Sequence, residues 1–163
     1  MSSRREVRER VMQALYAYEL GGGSDLHVIE TILDPAFVSD AANLEFAKLL
    51  FKKALSSTSE HDSLIAQHAQ NWDVTRIALV DRLLLRIALT EILYFEDIPP
   101  KVTINEAIEV AKKYSTPRSG QFINGILDAS LIALHADNRV KKKGRGLVGI
   151  ESIENRTSSG EGS

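Results

Sequence analysis

From Ile77 to Phe95 the chain reads IALVDRLLLRIALTEILYF, with apolar side chains on nearly every face of the helix it would form. A helix so apolar cannot lie on a surface. It must be central, and other segments must supply the apolar faces that cover it. Asp81, Arg82 and Arg86 interrupt this helix. By themselves they read either as an internal ion pair or polar stripe, or as an edge offered to a partner protein.

The covering segments are helical too. Val7, Val11, Ala14, Leu15 and Tyr18 recur at helical spacing, and GGGS at 21–24 ends that element. A short helix follows from about Asp25 to Leu33 and should stop before Asp34-Pro35. A long one opens near Asp40, carries Leu44, Ala47, Leu50, Phe51, Ala54 and Leu55, loosens at 56–59 and resumes through Leu64, Ile65 and His68. Pro99-Pro100 breaks the chain after the central helix. Thr103 and Glu106 have capping-box spacing for a helix to about Tyr114, and Ser119 is placed to cap a last helix to about Ala136. No stretch alternates as a strand does. The expectation is an all-α fold of about seven helices in a single domain over 1–138, arranged as two packed bundles near 1–71 and 72–138. Residues 139–163 lack a consistent amphipathic period and read as a mobile basic and polar tail.

At 163 residues such a domain buries roughly 68–70% of the surface exposed by its unfolded chain, enough to fold without a staple. The chain has no cysteine, which removes disulfides, thiol catalysis and cysteine-ligated zinc and suits a reducing cytosol. No apolar run reaches the roughly 18–20 residues of a membrane span, and the start does not resemble a signal peptide. His27, His61, His68 and His135 show no metal-ligand spacing, no nucleophile has a base placed by a motif, and no cofactor is implied. GRGLVG at 144–149 matches a dinucleotide fingerprint by letter, but it follows no strand.

Charge is distributed unevenly. Residues 1–138 hold 14 Lys and Arg against 19 Asp and Glu, or −5, whereas 139–163 hold six against three, or +3. Positive charge is also dense at the start, where SSRREVRER places Arg4, Arg5, Arg8 and Arg10 around one helix opening. Ser3 and Glu6 make a capping box there. Arginine in the first turn opposes the helix dipole at a cost of about 0.3–1 kcal/mol each. Arg10 with Glu6 and Arg5 with Glu9 can pair along the helix, but Arg4 and Arg8 repel. An external anion would explain the cluster; a solvated helix end is the plain alternative. Lys112 and Lys113 sit in a helix's last turn, where the dipole favours them. Phe122, beside Arg118, either stacks on a base or joins the core, and Gly125 suggests a close helix approach.

Three stretches carry a family resemblance: RREVRERVMQALYAYEL, then NWDVTRIALVDRLLLRIALTEILYFEDIPPKVTINEAIEVAKKYS, then SGQFINGILD. Together, over about Arg4 to Leu134, they resemble the NusB family of bacterial transcription antitermination factors. The resemblance implies a NusB-like fold of two helical bundles and a non-catalytic, cytoplasmic role. It implies binding of a single-stranded boxA-type RNA jointly with NusE, within the RNA polymerase antitermination complex that reads through terminators, notably in ribosomal RNA operons. By position, Arg4, Arg5 and Arg8 match the family's arginine-rich helix start, and Arg118, Ser119, Gln121 and Phe122 match a second part of its RNA surface. Asp81, Arg82 and Arg86 would face NusE. With about four phosphates neutralised, affinity should fall roughly 50-fold between 50 and 200 mM salt. A protein-binding helical adaptor, possibly a homodimer with only non-specific RNA affinity, is the alternative. NusB-like domains also open certain RNA cytosine methyltransferases, but no catalytic domain or attacking cysteine is expected here.

Overall fold

The computed structural model of the chain describes residues 2–69 and 74–160, with side chains through 155. Helix α1 (Arg4–Gly21) starts where Ser3 Oγ accepts the Glu6 amide at 3.2 Å and ends on Gly22, whose φ of 63° is the left-handed stop that glycine tolerates. Next come α2 (Asp25–Val28), a π-helical turn (Ile29–Leu33) and α3 (Asp34–Ala36). The expected stop before Pro35 is therefore overrun. The π turn shifts the Asp34 amide onto the Ile29 carbonyl, and Pro35, which lacks an amide hydrogen, falls in the first turn of the next short helix.

Asp40 caps α4 (Ala41–Ser56), and α5 (Thr58–His68) follows after Ser57. A 3-10 turn (Val74–Arg76) leads to α6 (Leu79–Tyr94), which is followed by α7 (Pro100–Tyr114) and α8 (Ser119–Ala136). All these described elements are helical. The expected boundary between 71 and 72 lies outside the described residues. By packing, α5 sits against α6 and α8, while α1 sits against α4 and α6.

Helix α6 is the axis, touching α1, α4, α5, α7 and α8. Every residue from Leu83 to Leu93 is buried. Its polar residues explain how neighbours are held in register. Arg86 pairs with Asp62 of α5 through two bonds of 2.8 Å. Thr90 Oγ1 donates to the Arg86 carbonyl and so accepts from His61 Nε2 at 2.7 Å. Asp81 accepts from Ser115 and Ser119 hydroxyls at 2.7 and 2.8 Å. Glu91 takes Arg8 of α1 and Thr103 of α7. Buried polar groups are tolerable only when paired, and each pairing here fixes one neighbour against α6.

Two expected caps turn out to be these pins instead. Helix α7 starts earlier, at Pro100, a position that suits proline because the amide it lacks would be unpaired anyway. Thr103 thus lies inside the helix, buried, with its hydroxyl on Glu91. Ser119 is the first residue of α8, and its hydroxyl serves Asp81 while Arg118 takes the cap position without a side-chain cap bond. Gly125 also departs from expectation: it is exposed, and a Cβ there would meet nothing within 4 Å.

The segment expected to be a mobile tail from Arg139 returns to the body. Arg139 pairs with Glu60 at 2.7 Å. The Lys142 ammonium donates to the Glu91 and Phe95 carbonyls at 3.0 and 2.7 Å, closing the end of α6. The Lys143 amide donates to the Glu96 carbonyl. A 3-10 turn (Gly144–Leu147) and α9 (Ile150–Gly160) follow, with Ile153 in the core against α8. Glycine is needed at 146, where a Cβ would collide with the Glu96 carbonyl, and at 149, where φ is 83°. The GRGLVG letters thus serve a strap that crosses the α6–α7 corner.

Candidate nucleic-acid interface

The opening arginines divide. Arg8 is 5% exposed, and its Nε and Nη2 donate to the two Glu91 carboxylate oxygens at 2.8 and 2.7 Å. Burial works against its charge, and the paired bonds it donates to the Glu91 carboxylate more than offset this, holding the guanidinium firmly protonated. Arg8 is therefore an internal strut between α1 and α6, and the expected phosphate contact is withdrawn from the surface. Position along the helix decides this: Arg8 falls beside the buried Val7 and Val11, whereas Arg4 and Arg5 stay on the open side.

Arg4 is exposed, with its guanidinium 4.1 Å from the centroid of Phe46 of α4. Arg5 reaches across to α7, donating to both oxygens of Glu106 at 2.8 and 3.0 Å. Those bonds lower the Glu106 pKa. The pairings expected along α1 are replaced: Glu9 takes Lys113 of α7 at 3.3 Å rather than Arg5, and Arg10 donates to Gln13 within α1 rather than to Glu6. Lys112, and not Lys113, holds Glu109.

The second group lies beyond the other end of α7. Glu106 and Tyr114 are eight residues, or about 12 Å, apart along that helix. There Arg118 and Gln121 are exposed, Phe122 is half-buried against the core, and Ser119 is buried on Asp81. The structure therefore does not bring Arg4 and Arg118 together; it sets them at the two ends of the α1–α7 seam, with Lys113 between them and 60% exposed. Arg4 and Arg118 form no ion pair among the described residues.

The three residues expected to face a protein partner are mostly internal. Asp81 and Arg86 are buried and fully engaged. Arg82 is half-buried and donates to the Val74 carbonyl at 3.3 Å.

Two features escape the sequence reading. Phe46, which carries Arg4, reads simply as part of α4. Arg145 lies in the strap, and its side chain lines the same groove as Arg4. The signal for it was the isolated positive charge after residue 138, whose placement required knowing that the strap docks.

Fold and surface thus define an all-α protein with a cationic seam between α1 and α7. Among the described residues no cluster of His, Asp and Glu could hold a metal, and no helix is long and apolar enough to cross a membrane. A statistical description of the NusB family matches residues 5–131, and the chain belongs to that family. It is 48% identical to the transcription antitermination protein NusB of Salinibacter ruber, over 98% of this chain and 99% of the relative. The NusB of Chloroherpeton thalassium is 41% identical over 96% of this chain and 74% of its own length. Among solved structures, NusB of T. maritima superposes with a TM-score of 0.74 at 38% identity, covering 80% of this chain and 91% of its own. A crystal structure of the antitermination factors NusB and NusE with double-stranded RNA contains a chain with a TM-score of 0.72 at 25% identity, covering 80% and 96%. The family match ends at 131, whereas the Salinibacter match is long enough to run through the strap.

Proposed function

We propose that this protein is a non-catalytic, cytoplasmic antitermination factor. It binds single-stranded boxA-type RNA together with NusE and promotes read-through by RNA polymerase, notably in ribosomal RNA operons. The observation that carries this reading is the seam: Arg4 and Arg118 stand exposed at its two ends, without ion-pair partners among the described residues, with Lys113 between them. Single-stranded RNA is a chain of regularly spaced anions with stackable bases, which suits separated cations better than one deep pocket would. Family membership supports the antitermination role, and a relative solved with NusE and double-stranded RNA supports NusE and RNA as the partners. Arg4, Arg5 and Arg118 supply phosphate contacts, Gln121 hydrogen-bonds a base edge, and Phe122 offers its exposed part for stacking. Of the three residues on α6, Arg82 is the one with surface left for NusE.

Removing Arg8 from the contact set leaves about three phosphates. Affinity should then fall roughly 20-fold between 50 and 200 mM salt. The test is fluorescence anisotropy of labelled boxA-type RNA and a scrambled control, with and without NusE. Preference for boxA that tightens with NusE and weakens with salt is the expected result. Equal, weak binding of both RNAs that NusE does not improve would leave a helical adaptor.

A further inference from the structure

An open groove of about 730 Å³ lies between the strap and the start of α1, lined mostly by α4 and the α6–α7 connection. Its floor is Phe46, packed edge-to-face on Phe95 at 5.6 Å. Arg4 lies over that floor, Arg145 comes from the strap, and Glu45 and Asp97 stand among the lining residues. Arg145 is exposed and has no ion-pair partner among the described residues. We infer that this groove is a nucleotide subsite, formed jointly by the strap and α1, which receives one guanine-bearing nucleotide of the bound RNA strand.

The volume lies within the range of small-ligand sites, about 300–1,000 Å³. Each part of a nucleotide has a counterpart. The Arg4 guanidinium sits over Phe46, 4.1 Å from its ring centroid, and its side away from that ring is the surface on which a base would stack. Arg145 supplies an uncommitted cation for the phosphate and takes the place of Arg4 among the three phosphate contacts, Arg4 stacking on the base instead. Glu45 and Asp97 would repel a phosphate, yet they accept hydrogen bonds from N–H groups on a base edge. Guanine, with adjacent N1–H and N2 donors, matches a carboxylate best. The subsite is continuous with the cationic seam at Arg4. Seating depends on the strap, which the Lys142 bonds to the end of α6 and the close fit of Gly146 under Glu96 hold in place.

This inference rests on the RNA-binding reading, and the experiment separates the two. Anisotropy titrations of boxA-type RNA, with NusE present, are run at 50 and 200 mM salt on the full chain and on Arg4→Ala, Arg145→Ala and Glu45→Gln/Asp97→Asn variants. Thermal melts check that these exposed substitutions leave folding intact. Arg145→Ala should weaken binding several-fold at 50 mM and lower the salt slope by about 0.7, so that it loses about 2.6-fold less affinity than wild type across that range. Replacing the guanines of the RNA by uridine, one at a time, should cost wild type about tenfold at one position and the carboxylate variant far less there. If Arg4→Ala weakens binding while Arg145→Ala matches wild type at both salts, the subsite is overturned and the RNA reading stands. If Arg145→Ala weakens only the binding of NusE, a protein segment fills the groove and the inference fails. If the wild-type chain shows no boxA preference even with NusE, the RNA reading itself has failed.

Discussion

Arg8 and Glu91 stand 83 positions apart in the chain and meet as a two-bonded ion pair, with side chains 6% and 1% exposed. Removing one partner leaves a buried charge unanswered, at about 3–5 kcal/mol. Arg8→Ala should therefore lower the melting temperature by about 10 °C. Arg8→Met combined with Glu91→Leu should recover most of that loss, since an apolar pair needs no partner. A normal melt for Arg8→Ala accompanied by weakened RNA binding would return Arg8 to the surface.

His61 predicts a pH dependence. Its Nε2–H is spent on Thr90, and Nδ1 is buried with no hydrogen-bond partner among the described residues. Burial pulls its pKa down to about 4. Between about pH 6.5 and 4 the unfolded chain binds a proton at this site that the folded protein refuses. Stability therefore falls as pH falls through that window, by up to about 1.4 kcal/mol per unit from this group. Urea unfolding from pH 7 to 4 should show a shallower decline for His61→Gln, whose amide can still donate to Thr90. Identical slopes would mean that carboxylates account for the whole effect.

Gly125 offers a stabilising change. It is exposed within α8, and an added methyl group meets open space. Gly125→Ala should raise stability by about 1 kcal/mol through helix propensity. Its distance in sequence from Phe122 is one helical turn, so the same variant, titrated with RNA, reports whether that face is approached closely. Higher stability with unchanged affinity would mean that no RNA backbone lies against it.

Gly146→Val should free the strap without unfolding the body. Hydrogen exchange of amides near Lys143 and Gly146, which bond to Glu96 and Lys143 carbonyls, should accelerate by an order of magnitude or more, while α6 amides keep their protection. Uniform acceleration across both regions would show that strap and core open as one unit.

The sequence was legible wherever local chemistry decides the outcome. The apolar wrap of α6, the Ser3 and Asp40 caps and the glycine stop after α1 are all written within a few residues of where they act. It was illegible where a residue suited to a local role is claimed by a distant partner. Thr103 and Ser119 have cap-like spacing, yet their hydroxyls answer Glu91 and Asp81. Arg8 looks like Arg4 and Arg5 in composition and differs only in facing α6. The strap escaped because it is held by lysine-to-carbonyl bonds, a close glycine fit, one ion pair to Glu60 and the buried Ile153, too little to leave a periodic trace.

The groove's two arginines come from residues 4 and 145, so the ribosome makes them at very different times. Arg4 emerges early, whereas Arg145 follows only after every helix that shapes the floor has been translated. A nascent chain can thus display its first arginines long before it has the wall opposite them. The joint site is a late product of synthesis, and a chain that halted before the strap would carry the family's core without it.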